Sequence, residues 1–428
     1  MSFKSGVFGD YFNLEKGISY KGDELVDESD VALVTLDTFL AGGGYKKSSE
    51  KPYAGTYKDA FVLAPGDVVI ATTDVTQDGA VLAAPALIPQ YEENFSDLVW
   101  SLDVAKLVPK TGDVLVEFVY NFLRVPLNRR RAAYGDTGTT VRRVPFEAMY
   151  EQVIPVPSLE EQGRISSFIA ALDRKIQLNT ATAETLEKIA QSVFRSWFID
   201  FDPVKAKMAG EKPLGMNEAT AALFPDSMVV SELGTIPKGW SKGWLKDLAL
   251  ISYGAPFSSK FFNSAGDGMP LIRIRDLKTQ SIATWTTEVH TKGFMTKTGT
   301  LLIGMDGEFN PTLWFGPDSW VNQRICRIEG KSEMNSMYLY FTLLPIMKRI
   351  EHGSTGSTVI HLGKTDLDAI GFLNPPQEVL ARYRELTEPI LHLLGNMAAT
   401  NRVLVGLRDS LLPRLISGEL QIPEELLL

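Results

Sequence analysis

The sequence predicts an α+β fold made twice over: two similar α+β domains separated by two long antiparallel helices, related by a pseudo-twofold internal repeat. Three observations predict it. The stretch Gly135-Asp136-Thr137-Gly138-Thr139-Thr140-Val141 returns as Gly353-Ser354-Thr355-Gly356-Ser357-Thr358-Val359, 218 residues on. The register then holds without a gap, with Pro157 falling on Pro375, Glu160 on Glu378, Arg164 on Arg382, Leu186 on Leu404 and Ser192 on Ser410. Each copy of this gapless stretch carries apolar residues mostly three and four positions apart, the spacing that lines one face of a helix.

Taken in order, residues 1–157 read as the first domain. Short β-rich runs (Ala32-Leu33-Val34-Thr35-Leu36 and Asp67-Val68-Val69-Ile70) lie between Gly and Pro turns, and an amphipathic helix is expected near Val114 to Leu123. Ser158-Leu159-Glu160-Glu161 is a capping box, a serine hydroxyl for the third amide and a glutamate for the cap amide, so the first long helix starts there. It is assigned to 158–202, with Ile165, Phe168, Ile169, Leu172, Ile176, Ala183, Leu186, Ile189, Val193 and Phe194 on its stripe. At 1.5 Å per residue, a helix from Ser158 to about Ser196 spans roughly 58 Å.

Residues 203–239, with Lys205, Lys207, Lys212, Pro213, Pro225 and Pro237, read as a connecting segment. The second domain, 240–374, repeats the plan with Leu271-Ile272-Arg273-Ile274, Leu301-Leu302-Ile303 and a helix near Met337 to Arg349; Gly66 to Ala71 resembles Gly299 to Gly304 at an offset of 233. Pro375-Pro376 open the second long helix, 375–418, which is followed by a tail, 419–428. Pro389 and Gly395 lie inside it, and a proline removes an amide donor, so a kink or break near Glu388 is expected. Neither stripe can stay wet, and packing the two helices on each other is the simplest remedy.

Composition bounds the function. The 428 residues, 44% hydrophobic and 22% charged, suit a globular chain of two or three domains. The start, MSFKSGVFGD, has no apolar leader pattern and no run approaches the ~20 apolar residues of a membrane span, so a cytoplasmic location is expected. Cys326 is the single cysteine and the four histidines form no close ligand pair, which excludes an intramolecular disulfide and argues against a zinc enzyme. A formal charge of −9 argues against broad adhesion to nucleic acid, so local clusters decide.

Those clusters flank the repeated loop. Arg124, Arg129, Arg130, Arg131, Arg142 and Arg143 surround it in the first domain, with Asp136 the only acid between Arg124 and Arg143. In the second, Lys348, Arg349 and His352 precede the loop, while Arg273, Arg275 and Lys278 form a second group. Arginine and threonine donors can hold phosphates and leave side chains free for base edges. The expected DNA contacts are Arg129, Arg130, Arg131, Thr137, Thr139, Arg142 and Arg143 on one side and Arg273, Arg275, Lys348, Arg349, Thr355 and Ser357 on the other.

Two catalytic motifs are imitated. Asn374-Pro375-Pro376-Gln377 lacks the aromatic ring with which amino-methyltransferases stack a flipped base, and is better read as a helix start. Pro317-Asp318 with Glu329-Gly330-Lys331 formally spells a metal-dependent nuclease signature, but the intervening Val321 to Ile328 alternates like an ordinary strand. A scaffold that binds only proteins would account for the long helices equally well, and the basic loops are what favour DNA.

Together these features resemble the specificity subunit of type I restriction-modification systems. The resemblance runs through the junction Val153-Ile154-Pro155-Val156-Pro157-Ser158-Leu159-Glu160-Glu161-Gln162, the stretch Phe194-Arg195-Ser196-Trp197-Phe198-Ile199-Asp200-Phe201-Asp202-Pro203, the lead-in Ile236-Pro237-Lys238-Gly239-Trp240 and the terminal Leu415-Ile416-Ser417-Gly418-Glu419-Leu420. In the second copy Asn374-Pro375-Pro376-Gln377-Glu378-Val379-Leu380 and the internal Pro389 depart from the family pattern, which keeps an acid-Gln pair as in Glu161-Gln162. The resemblance implies two target recognition domains reading an asymmetric bipartite DNA sequence, and helices that act as a ruler for the spacer. It also implies two docked methyltransferase subunits, restriction subunits, no catalysis and no cofactor in this chain, and S-adenosylmethionine in the methyltransferase partner.

Overall fold

The computed structural model describes residues 3–75, 79–91, 94–135, 141–353 and 361–423. Four helices dominate it: α1 (Val116–Arg124), α2 (Leu159–Phe198), α3 (Ser336–Gly353) and α4 (Gln377–Ser417). The chain forms two compact units, one of Met1–Lys175 with Leu404–Leu428, the other of Ile176–Val403. Among the described residues, no helix is long and apolar enough to cross a membrane.

In the first unit, Lys4–Val7 pairs antiparallel with Val153–Val156, bringing the start of the chain to the entrance of α2. A four-stranded sheet follows the order Phe12–Lys16, Val104–Pro109, Val68–Ala71, Pro85–Leu87. The apolar face of α1, with Phe118, Val119, Phe122 and Leu123, is buried in one core with Val68, Ile70, Ala105 and Leu107 of that sheet. A smaller sheet places Val31–Val34 between antiparallel Lys51–Pro52 and parallel Asp97–Trp100.

The second unit repeats this plan, with one strand more in its smaller sheet. Ser241–Trp244 pairs with Gly371–Asn374, and the four-stranded sheet runs Ala249–Tyr253, Ile325–Gly330, Thr300–Gly304, Pro311–Trp314, with α3 on it. Met269–Ile272 again has a parallel neighbour, Trp320–Val321. A further match is atomic. The strand opening each four-stranded sheet is followed by a glycine, Gly17 or Gly254, where a Cβ would meet the Trp100 carbonyl oxygen at 2.0 Å or the Asn322 carbonyl oxygen at 2.1 Å. Backbone approaches this close admit only glycine.

The first long helix starts where expected, but with only the serine half of the capping box. Ser158 Oγ accepts the Glu161 amide at 3.2 Å, while the Glu161 carboxylate turns to Arg164 at 2.7 Å. Gln162, fully buried, fastens the helix to the domain before it: Nε2 donates to the Asp113 and Pro157 carbonyls and Oε1 accepts from the Leu115 amide. The break expected near Glu388 does not occur, and α4 runs unbroken through Pro389 and Pro413 to Gly418, whose φ of +77° ends it. A proline deletes one hydrogen bond, whereas buried Tyr383, Thr387, Leu391 and Leu394 hold that stretch by packing, which outweighs local propensity.

The long helices lie antiparallel in each unit. In the first, Asp173 of α2 receives Arg408 of α4 at 3.0 Å and Arg124 of α1 at 2.6 and 3.0 Å. In the second, Asn179 meets Asn401 at 2.8 Å, and Tyr383 Oη donates to the Ala190 carbonyl. Around that last contact the Phe194-Arg195-Ser196-Trp197-Phe198 stretch builds an aromatic cluster, with Phe198 4.9 Å from Tyr338 and 5.1 Å from Tyr383 between ring centres. The segment 203–239 is folded rather than extended: it contains the helices Asp202–Met208 and Glu218–Ala222 and a hairpin of Met228–Ser231 with Gly234–Pro237, and buries Val204, Phe224 and Ile236.

Burial alone would raise the Asp173 carboxyl, but its bonds to Arg124 and Arg408 outweigh this and hold its pKa below the ordinary value. Replacing it strands a guanidinium, Arg124, whose side chain is only 7% exposed. Asp173→Ala is therefore expected to lower unfolding free energy by about 3 kcal/mol in denaturant titrations. Because the folded pKa is the lower one, this contribution is complete above the unfolded carboxylate pKa and fades as pH falls through the folded value, so the stabilities of wild type and variant should begin to converge only as pH falls below about 4. Gly17→Ala and Gly254→Ala should each destabilise the protein by about 2 kcal/mol or more by the same measurement, through displaced backbone.

Candidate nucleic-acid interface

In the first unit, three stretches are tied together around the basic residues. The loop Ala41-Gly42-Gly43-Gly44 takes left-handed backbone at each glycine, φ from +84° to +123°. Its Gly42 amide donates to the Ala80 carbonyl, its Gly44 amide donates to the Pro85 carbonyl, and its Gly42 carbonyl accepts from Arg129 Nη1 at 2.8 Å. Asp74, fully buried, receives the Val81 and Leu82 amides at 2.7 and 3.1 Å and so fixes the neighbouring turn. Arg142–Arg143 forms a strand against Thr73–Asp74, with Arg142 opposite Asp74. A Cβ on Gly79 would lie 2.4 Å from Arg142 Nη1. The glycine loop, the turn, the paired strands and Arg129 thus occupy one neighbourhood.

The arginines of this neighbourhood differ in kind. Arg129 is half-buried and holds a backbone carbonyl; burial and adjacent Arg130 both lower its pKa from the ordinary guanidinium value. Arg130, Arg131 and Arg143 are exposed, as is Tyr134, 80% accessible at the end of the Arg-rich helix Pro126–Ala132. Arg124, which the sequence groups with them, is the buried partner of Asp173. Thr137 and Thr139 lie outside the described residues, as do Thr355 and Ser357. Lys46 and Lys47, exposed just beyond the glycine loop, were not singled out from sequence, although three consecutive glycines before two lysines were the signal for them.

The second unit has the same strand contact in a different chemistry. Asp306 bridges antiparallel to His361, the residue 218 positions after Arg143. His361 Nδ1 meets Asp306 Oδ1 at 2.7 Å, and Arg324 Nε lies 3.3 Å from the other oxygen. The repeat offset applied to Arg143 would have found His361; Arg324 left no such signal.

The structure divides the second basic group. The Arg273 amide donates to Asp276 Oδ2 at 2.8 Å, making a tight turn. Burial pushes the Asp276 carboxyl up, with Arg275 Nε 3.8 Å away. Arg275 and Lys278 line a cleft of about 630 Å³ together with Asp306, Glu308 and Thr312. Lys348 and Arg349 lie elsewhere, exposed near the end of α3, and Arg349 borders a separate, largely apolar cleft of about 780 Å³ with Phe198, Ile346 and Phe372. That cleft has a smaller counterpart of about 340 Å³ in the first unit: Arg131, Ala148, Glu151, Gln152 and Val153 line it, and the residues 218 positions on line the larger one.

One carboxylate of the nuclease-like pattern lies within a sheet. Glu329 sits in the strand Ile325–Gly330 within the four-stranded sheet and pairs with Arg327 at 3.4 Å. Among the described residues no group of three or more His, Cys, Asp or Glu is placed to hold a metal ion. Cys326 is buried in the same strand, its thiol pushed up to about 12 by burial.

The duplicated mixed fold with basic residues beside a repeated loop defines a class. The pattern described as the type I restriction modification DNA specificity domain matches residues 4–188 and 237–379, and the chain belongs to that family. It is similar to the type I restriction enzyme HindI specificity subunit of Haemophilus influenzae, 26% identical over 382 residues covering 77% of this chain and 83% of that protein. It is also similar to the MjaIX specificity subunit of Methanocaldococcus jannaschii, 27% identical over 330 residues covering 74% and 72%. In fold it matches the crystal structure of a type I restriction-modification S subunit from M. genitalium, with a TM-score of 0.55, 15% identity, and coverage of 97% of this chain and 96% of that one.

Anchoring and exposed arginines are separable without any ligand. Arg129→Met should cost about 1 kcal/mol of stability through the lost bond to Gly42, whereas Arg130→Ala should stay within about 0.5 kcal/mol of wild type. Paired urea unfolding curves read both.

Proposed function

We propose that this chain reads an asymmetric, two-part DNA sequence with its two α+β domains, that the long helices set the unspecified spacing between the parts, and that the chain itself catalyses nothing. Methylation and cleavage then belong to docked subunits: two methyltransferases, which hold S-adenosylmethionine, and restriction subunits. The observation that supports this reading is the repetition of one strand plan with unlike side chains at matching places, Arg143 opposite Thr73 in one unit and His361 opposite Asp306 in the other. Two equal scaffolds with unequal faces suit two unlike half-sites, whose separation follows from the spacing of the readers.

Within this reading, Arg130, Arg131, Arg142 and Arg143, with Thr137 and Thr139, face one half-site, and Lys46 and Lys47 add phosphate contacts. Arg129 acts through Gly42, holding the glycine loop. Arg273, Arg275, Lys348, Arg349, Thr355 and Ser357 serve the other half-site, joined by Arg324 and His361. A chain of charge −9 gathers too few phosphate contacts alone, and affinity scales with the phosphates neutralised by the whole complex, so the isolated chain binds DNA weakly.

The deciding experiment maps methylated bases genome-wide in a host with and without this chain. A bipartite motif that disappears with the chain supports the reading; full subunit assembly with no sequence preference would replace it by a protein-only scaffold. In the assembled complex, Arg130→Ala with Arg131→Ala should weaken binding to all sequences alike and reduce the slope of log affinity against log salt by about 2. A base-reading arginine behaves differently: its removal costs ~1 to 3 kcal/mol and relaxes the motif at one position.

A further inference from the structure

The middle of the helix pair is built differently from its ends. Among the described residues, Asn179 is the only buried side chain of α2 between Ile169 and Ala190, and α4 buries none between Gly395 and Leu412. The flanking apolar residues point outward there: Leu178 is 61% and Val403 69% exposed. Asn179, 5% exposed, donates through Nδ2 to Asn401 Oδ1 at 2.8 Å. Asn401 Nδ2 in turn donates to Thr180 Oγ1 at 3.3 Å and to the Ile176 carbonyl at 3.4 Å. The repeat places Met397 and Ala183 at the corresponding positions, so this amide pair occurs once and is not a legacy of duplication.

Apolar side chains in a helix seam accept many alignments at similar energy, because dispersion and burial are not directional. An amide pair accepts few, because a shift leaves a buried donor or acceptor without a partner. This is how a single asparagine fixes register in a coiled coil at a cost in stability.

We propose that Asn179 and Asn401 are the positioning residues that fix the alignment of α2 and α4 in this stretch, and thereby the length of the DNA spacer accepted between the two half-sites. The inference rests on the function proposed above. A displacement of one helical turn is about 5.4 Å, between one and two base pairs at about 3.4 Å each, so loosening the pair should show as tolerance for spacers changed by one or two base pairs.

The test uses the complete complex in its host, with modified bases mapped by long-read sequencing for wild type, Asn179→Ala and the double variant Asn179→Leu with Asn401→Leu. The half-site sequences should be unchanged in all three. The share of methylated sites with an altered spacer should rise about tenfold in the double variant, equivalent to ~1.4 kcal/mol, and by a smaller factor in Asn179→Ala, while the double variant melts at or above the wild-type temperature. A single unchanged spacer length in an assembled variant overturns the proposal, and Asn179→Ala, which leaves Asn401 its bonds to Thr180 and Ile176, decides the matter should the double variant fail to assemble. If wild type itself methylates no bipartite sites, the function reading fails and this inference with it; if wild type does and the variants keep one spacer, only the inference fails.

Discussion

A helix of forty residues, about 60 Å long, cannot stand alone in water with an apolar stripe along it, and the rest of this structure depends on that constraint. Within each unit the long helices answer it by antiparallel pairing and by packing on that unit's α+β domain. In the second unit Phe194, Trp197 and Phe198 of α2 share a core with Tyr383 of α4 and Tyr338 of α3. In the first, Leu412, Leu415 and Ile416 of α4 do the same with Ile165 and Ile169 of α2 and Phe118 of α1. Each core therefore needs both long helices, and neither domain is completed by contiguous sequence alone.

Charge reinforces what burial begins. Asp173 gathers one arginine from α1 and one from α4, so three helices of the first unit converge on a single carboxylate. A partly buried cluster of this kind adds little to stability relative to an apolar equivalent, but it penalises any arrangement that separates its members. Gln162 has the same effect at the start of α2, where three bonds from one amide side chain leave a single way to attach the helix to its domain.

The large features were legible in the sequence because they are periodic or repeated. The 218-residue offset, the capping serine and the apolar spacing required no knowledge of distant contacts. What escaped was set by tertiary neighbours. Pro389 spoke for a break that packing overrode, Ile189 lay on the expected stripe yet is 48% exposed, and 203–239 looked like a linker although Val204 and Phe224 are core residues. At the candidate interface the basic composition was visible, but only coordinates separate Arg124, consumed by an ion pair, and Arg129, holding Gly42, from exposed Arg130 and Arg131.

The same repeat shows how one backbone frame can carry two different sets of side chains. Strand order, the parallel neighbour in the small sheet and the close-packed glycine are common to both units, because each is fixed by backbone hydrogen bonding or by the space a Cβ would need. The side chains presented from that frame are under no such restriction. Arg143 and His361 occupy one position in the repeat, yet the first is an exposed guanidinium on a paired strand and the second is an imidazole bonded to Asp306. Backbone-determined positions can thus be retained while the side chains they present change freely. A duplicated chain whose halves present dissimilar side chains follows from that division between frame and surface, and requires no change of fold between one half and the other.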